Sequence, residues 1–230
     1  NERLSAIESF AADVAHELKN PLASVRSAIE TLDKVSDKNK RDQLIKIIKD
    51  DILRLDRLIT DISAASRLDA ELRRIEHSAI NLVDFIGEIV SGYQDRYKDK
   101  YDLRFSSDGN PRVLANSGQL SQVLSNLISN AFSFSGEDKP ITIDVWNDAH
   151  NAYISVKNQG PHIPENKLEQ IFDRFYTERP EGETFGRHSG LGLSISKQIV
   201  NAHNGTIHAE NLLDDNEQTS VLFTVTLPLY

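Results

Sequence analysis

The sequence predicts an all-α helical hairpin, paired into a dimeric four-helix bundle, followed by an α+β domain. Two apolar stripes at helical spacing occupy the first 65 or so residues. Strand-like runs begin only after about Asp69. From there strands and helices mix without a regular βαβ alternation, which favours α+β over a doubly wound sheet.

The first stripe runs Phe10, Val14, Leu18, Leu22, Val25, Ile29 and Leu32, steps of three and four that draw one line down a helix. Asp33–Lys40 is polar and turn-like. A second stripe follows at Leu44, Ile48, Ile52, Leu55, Leu58 or Ile59, and Ile62, at coiled-coil-like spacing. Two helices cannot cover both stripes, and a second copy completing a four-helix bundle removes the exposed surface. A homodimer through the hairpin is therefore expected. A boundary falls near residues 68–76.

Beyond it, a helix is expected over Asn81–Gln94, strands at Tyr101–Phe105 and Arg112–Ala115, and a helix over Gly118–Phe134. Ile141–Trp146 and Tyr153–Lys157 read as strands joined by a hairpin loop at Asn147–Asn151. A helix near Leu191–Ala202 precedes a terminal hairpin of Thr206–Glu210 and Ser220–Leu227.

Composition narrows the function. The 230 residues carry a net charge of −9 with a pI near 5.3, against a nucleic-acid or anionic-membrane partner. With no cysteine there are no disulfides or thiolate metal sites. No run approaches the roughly 20 apolar residues of a membrane helix. The chain also lacks methionine, so it is expected to be part of a longer polypeptide.

Five segments carry chemistry. In His16-Glu17-Leu18-Lys19-Asn20-Pro21, His16 lies two positions past Val14 and projects off the stripe toward solvent. Asn20 follows one turn later on the same face. Glu17 could hold one ring nitrogen protonated and leave the other as a nucleophile. Pro21 should weaken or bend the helix beside it. An ordinary surface histidine near a tolerated kink is the bland alternative. On the Gly118–Phe134 helix, Gln122, Asn126 and Asn130 form a polar stripe beside Leu120, Val123, Leu124, Leu127 and Ala131. Amide oxygens there suit Mg²⁺ carried by a nucleotide, although structural amides are an equal reading.

Asn158-Gln159-Gly160-Pro161-His162-Ile163-Pro164 follows a strand, and Ser189-Gly190-Leu191-Gly192-Leu193-Ser194 opens a helix. Glycines permit close backbone approach, and free amides at a helix start bind phosphate. Neither segment is a P-loop or a G-x-G-x-x-G turn, and plain tight turns would look the same singly. Phe172-Asp173-Arg174-Phe175-Tyr176 precedes the polar Thr177–His188, reading as hinge and lid or as core under a loop.

In this order the motifs resemble the bacterial sensor histidine kinase family over essentially the whole chain. FAADVAHELKNPLASVR looks like its H-box, QVLSNLISNA its N-box and VKNQGPHIP its first glycine box. FDRFYT looks like the F-box and HSGLGLSISKQIV the second glycine box. FYTERPEGETFGRHSGLGLSISKQIVNAH looks closest to ChvG-type envelope sensors of alphaproteobacteria. The resemblance implies a HisKA-type dimerisation and histidine phosphotransfer domain over 1–70. It implies a catalytic ATP-binding domain over 76–230, an α/β sandwich of the GHKL type shared with gyrase and Hsp90.

It further implies ATP and Mg²⁺ as cofactors, a response-regulator receiver domain as partner, and a cytoplasmic location as part of an inner-membrane sensor, without direct membrane contact. His16 matches the phosphoacceptor, Glu17 its base and orienter, and Asn20 the residue that positions a water for response-regulator dephosphorylation. Asn130 matches the Mg²⁺ ligand and Asn126 its support. Phe134 matches a residue that flanks the adenine and Asn158 the position of the usual adenine-binding aspartate, while Gly160, Ile163 and Phe175 match further nucleotide-binding positions. Ser189, Gly190, Leu191, Gly192 and Leu193 match the phosphate side.

Three departures matter. The aspartate usual in the first glycine box is Asn158, and losing a charged acceptor costs about 1–3 kcal/mol, roughly five- to 150-fold in affinity. That box's second glycine is His162. The usual lysine after the N-box and arginine after the F-box are Ser133 and Thr177, with Arg174, Arg179 and Arg187 as replacements within reach. An ATP-dependent protein-histidine kinase with response-regulator phosphatase activity is the leading expectation. A nucleotide-impaired docking and phosphatase module is the alternative, and a gyrase- or Hsp90-like ATPase would not need His16 exposed.

Overall fold

The computed structural model describes residues 2–71, 77–97, 100–135, 139–176, 190–213 and 219–230. The chain divides into two compact units, residues 1–69 with 174–191, and residues 70–173 with 192–230.

The first unit is built on α1 (Glu2–Leu32) and α2 (Lys38–Glu71). Helix α1 continues through Pro21, which is buried. Helix α2 begins inside the segment expected to be a turn, because Asp37 caps it: its Oδ1 accepts from the Lys40 backbone N–H at 2.9 Å. Arg41 closes the loop by donating to the carbonyls of Leu32 and Val35 at 2.9 and 3.0 Å. Ala28 and Leu58 are buried, whereas Leu22, Ile29, Ile52 and Ile59, all stripe residues, remain about half exposed on a single copy. A helical hairpin that leaves four such side chains in water has a strong hydrophobic incentive to pair.

The second unit opens with β1 (Ser78–Asn81) and α3 (Leu82–Tyr97), then β2 (Leu103–Asp108), β3 (Arg112–Ala115) and α4 (Ser117–Phe134). Strands β4 (Ile141–Asn147) and β5 (Asn151–Gln159) form the expected hairpin. Its loop is held by Asp148, whose Oδ1 accepts from the His150 and Asn151 backbone N–H groups at 2.7 and 2.8 Å. Two 3-10 turns, α5 (Gly192–Ala202), β6 (Thr206–Leu213) and β7 (Thr219–Pro228) complete the chain.

A five-stranded sheet runs in the order β2-β4-β5-β7-β6, with β2 parallel to β4 and the other pairs antiparallel. The pair β1-β3 forms a separate antiparallel ribbon. Ile141, Ile143 and Val145 of β4, and Ala152, Ile154, Val156 and Asn158 of β5, alternate along one face and are buried. Leu120, Val123, Leu124, Leu127, Ile128 and Ala131 of α4, and Ile195, Ile199 and Val200 of α5, supply the facing layer.

Candidate functional site

The phosphotransfer end starts from helix geometry. His16 and Asn20 are both exposed, one turn apart on α1, while Val14 and Leu18 are partly covered. Glu17 is turned toward α2, where its Oε2 meets Arg54 Nη2 at 3.1 Å. Adjacent residues on a helix point about 100° apart, so the position facing α2 is not the one presenting His16 to solvent. Glu17, expected as base and orienter of His16, ties the two helices together through Arg54.

The second unit brings most of the remaining residues together around α4. Asn116 caps that helix, its Oδ1 accepting from the Gln119 N–H at 3.0 Å. Gln122, Asn126 and Asn130 all lie half-buried along one side. Asn126 Nδ2 donates to the Gly192 carbonyl at 2.9 Å and to Ser196 Oγ at 3.2 Å, so its amide fixes the start of α5 against α4. A Cβ on Gly192 would sit in ordinary contact with the Asn126 amide, at 3.5–3.7 Å. The side-chain nitrogen of Asn126 is therefore engaged, and Asn130, expected as a Mg²⁺ ligand, lies half-buried one turn on.

At the other end of α4, Gly160 lies against the helix terminus. A Cβ there would overlap the Phe134 carbonyl oxygen and approach Asn158 Nδ2 at 3.2 Å. Asn158 is 2% exposed, and among the described residues its Nδ2 has no hydrogen-bond partner. Eight helical steps, about 12 Å, separate Asn126 in the middle of α4 from Phe134 at its C-terminal end, with Asn130 between them.

Ile163 is gripped by Asn211 of β6, whose Oδ1 accepts from its N–H at 2.9 Å and whose Nδ2 donates to its carbonyl at 2.7 Å. His162 points away from α4: its Nε2 lies 3.0 Å from the Leu212 carbonyl. The histidine in place of glycine is thus accommodated on the β6 side. Phe175 and Gly190 pair with each other, the Phe175 N–H donating to the Gly190 carbonyl at 2.9 Å. Both have positive φ, 62° and 73°. For an aromatic residue that is a strained conformation, of the kind that clusters at functional sites. A Cβ on Gly190 would lie 2.7 Å from the Phe175 backbone, so glycine is required. Leu191 is buried and Leu193 partly so. Ser189, Thr177, Arg179 and Arg187 lie outside the described residues; Arg174 is exposed.

Two supporting residues escape sequence reasoning. Asn211 reaches Ile163 across 48 positions, which no local pattern signals. His203 is buried, and its Nε2 accepts from the Asn116 N–H at 3.0 Å while Nδ1–H donates to the Ile199 carbonyl at 2.8 Å. Burial lowers its pKa from the usual 6.5; the Ile199 bond opposes this, and His77, edge-on at 5.0 Å, adds to the lowering. Because the folded state resists a proton that the unfolded chain takes up near 6.5, the stability it supplies is present above that pH. It is lost as pH falls toward the lowered value. The melting temperature of the chain is expected to drop between pH 7 and 5, with a shallower drop in His203→Gln measured by circular dichroism. Equal slopes in the two proteins would remove His203 as the cause.

Family comparisons agree with this geometry. Residues 6–71 match the His Kinase A (phospho-acceptor) domain, and residues 115–230 match the histidine kinase-, DNA gyrase B-, and HSP90-like ATPase family. The chain belongs to the sensor histidine kinase family. The chain is 44% identical to Sensor protein ChvG of Rhizobium meliloti, an alignment covering 99% of the chain and 41% of that protein. It is 34% identical to Sensor protein kinase WalK of Staphylococcus aureus, covering 94% of the chain and 52% of the relative. Histidine kinase ThkA, solved in complex with response regulator protein TrrA, superposes with a TM-score of 0.76 at 30% identity, covering all of this chain and 64% of that chain. The chain thus spans about two fifths to one half the length of these curated relatives. Among the described residues no helix is long and apolar enough to cross a membrane.

Proposed function

We propose that this chain is an ATP-dependent protein-histidine kinase in which His16 accepts the phosphoryl group and passes it to an aspartate of a response-regulator receiver domain. The observation that carries this reading is the exposure of His16, one turn from Asn20, on a hairpin tethered to a nucleotide-type fold. The residues fit a purine nucleotide: among the described residues the buried amide of Asn158 lacks a partner for its Nδ2, beside the close approach of Gly160 to the Phe134 end of α4. ATP supplies the phosphoryl group when bound.

The chain's own residues then divide the work. His16 presents an imidazole nitrogen as nucleophile, and loses its N–H proton on phosphorylation to solvent or a neighbouring base. Asn130 offers one amide oxygen to Mg²⁺, which suits a cation that keeps most of its ligands from phosphates and water. Among the described residues no group of three or more His, Cys, Asp or Glu could form a protein cage for a metal, so Asn130 would act with the nucleotide. The amides at the start of α5 bind phosphate, and Asn126 holds that start in place. Asn20 positions the water that removes the phosphoryl group from the response regulator.

The half-exposed Leu22, Ile29, Ile52 and Ile59 support a homodimer through the hairpin. The chain is the cytoplasmic part of a longer inner-membrane sensor of ChvG type, as its partial coverage of such relatives supports. A nucleotide-impaired docking and phosphatase module is the second reading, favoured by the amide at Asn158. Incubation with γ-labelled Mg-ATP decides between them. Acid-labile, base-stable label is expected on the chain and should move to an added receiver domain. Nucleotide turnover without label on the protein overturns the kinase reading.

A further inference from the structure

Asn158 closes β5 on its helix-facing side, in register with Ile141 and Val221, both buried apolar residues. The residue is 2% exposed, yet among the described residues Nδ2 finds no acceptor. Gly160 lies next to that nitrogen, and the Phe134 end of α4 lies against Gly160. A buried donor is almost always paired, and apolar strand neighbours cannot pair this one. An acceptor brought by the ligand can.

Resting on the nucleotide reading above, we propose that Asn158 sets the purine specificity of the site, so that it takes 6-oxo purine nucleotides as readily as 6-amino ones. A carboxylate at this position could only accept: it would pair with the amino group of adenine and repel the carbonyl oxygen of hypoxanthine or guanine. An amide carries one donor end and one acceptor end, which exchange by rotation about χ2. Nδ2–H meets a 6-oxo group directly, and Oδ1, turned into the same place, accepts from a 6-amino group. Discrimination at position 6 is weakened because the one amide can pair with the position-6 group of either base, whereas strong rejection depends on a group that finds no partner.

The test compares Mg²⁺ complexes of non-hydrolysable ATP and ITP analogues binding to the 230-residue chain. Inosine differs from adenosine only at position 6 and the adjoining N1 proton, so the 2-amino group of guanine does not enter. The two dissociation constants are expected within about threefold of each other, and Asn158→Asp should shift their ratio toward ATP by at least about tenfold. A wild-type preference for ATP above about tenfold overturns the proposal while leaving the kinase reading intact; so does a ratio that Asn158→Asp does not move. Failure of both nucleotides to bind, with ATP bound only by Asn158→Asp, overturns it in favour of the nucleotide-impaired module. Failure in both proteins defeats the nucleotide reading itself. The wild-type ratio decides the matter even where the variant folds poorly.

Discussion

In His16→Gln, acid-labile label from γ-labelled Mg-ATP is expected to fall to background, while nucleotide affinity stays within about twofold of wild type. The imidazole is exposed on α1, so its replacement should change stability by no more than about 0.5 kcal/mol. Glutamine is at least as good a helix former as histidine and keeps a polar side chain of similar reach. What it lacks is a neutral nitrogen with a free lone pair, since the amide nitrogen is delocalised into its carbonyl. Loss of label therefore reports loss of the nucleophile and not of the fold. The readouts separate because α1 belongs to one compact unit while α4, β5 and α5 belong to the other. Label that persists in this variant, on any other side chain, would dismiss His16 as the acceptor. Arg54 is a useful companion: Arg54→Ala removes the partner of Glu17, so any effect on labelling there acts through hairpin geometry.

Much of this arrangement is legible in the residues, and what is not has identifiable causes. Helix α4 can be read nearly to its ends because an apolar stripe and an amide stripe run together over five turns; every member of the apolar stripe is buried and every amide half-buried. The hairpin of β4 and β5 is equally plain, since alternating β-branched residues flank a loop with an aspartate that can bond its own backbone. Strand β1 is not. Its four residues form a ribbon only with β3, more than 30 positions away, and carry no alternation long enough to recognise. The start of α2 escapes a reading by pattern because DKVSDKNK is polar throughout, and Asp37 as a cap is invisible without its bond to the Lys40 N–H.

Site residues follow the same rule. His16 and Asn20 face solvent as periodicity requires. The role of Glu17 does not follow from sequence proximity, because its carboxylate is taken by Arg54, 37 positions on. Asn126, expected to support a metal or phosphate, ties α4 to α5 through a contact spanning 66 positions. Local spacing assigns a side chain to a face; only the closed fold says which partner arrives there.

Gly160→Ala is expected to weaken nucleotide binding at least tenfold and to destabilise the second unit by about 3 kcal/mol, the upper end of overpacking costs. The added methyl would collide with a backbone carbonyl, that of Phe134, and not with the tip of a flexible side chain. Neither partner can retreat easily. Gly160 is held to β7 from both sides, its N–H donating to the Thr219 carbonyl at 3.2 Å and its carbonyl accepting from Thr219 Oγ1 at 2.8 Å. On the other side, the last turn of α4 is fixed by its own helical bonds, including Ser135 N–H to the Ala131 carbonyl at 2.9 Å. Relief must come from parting the strand end from the helix end, which also displaces Asn158 and Phe134, the residues proposed to meet the base. Gly92 is the internal comparison. It is exposed in the middle of α3, and a methyl added there would meet nothing within 4 Å. Gly92→Ala should therefore raise stability by up to about 1 kcal/mol through helix propensity alone. Opposite shifts in chemical denaturation, with binding lost only in the first variant, are the expected pair of results. A Gly160→Ala protein as stable as wild type and binding ATP normally would show that the strand and helix ends are not in the close contact on which the nucleotide site is built.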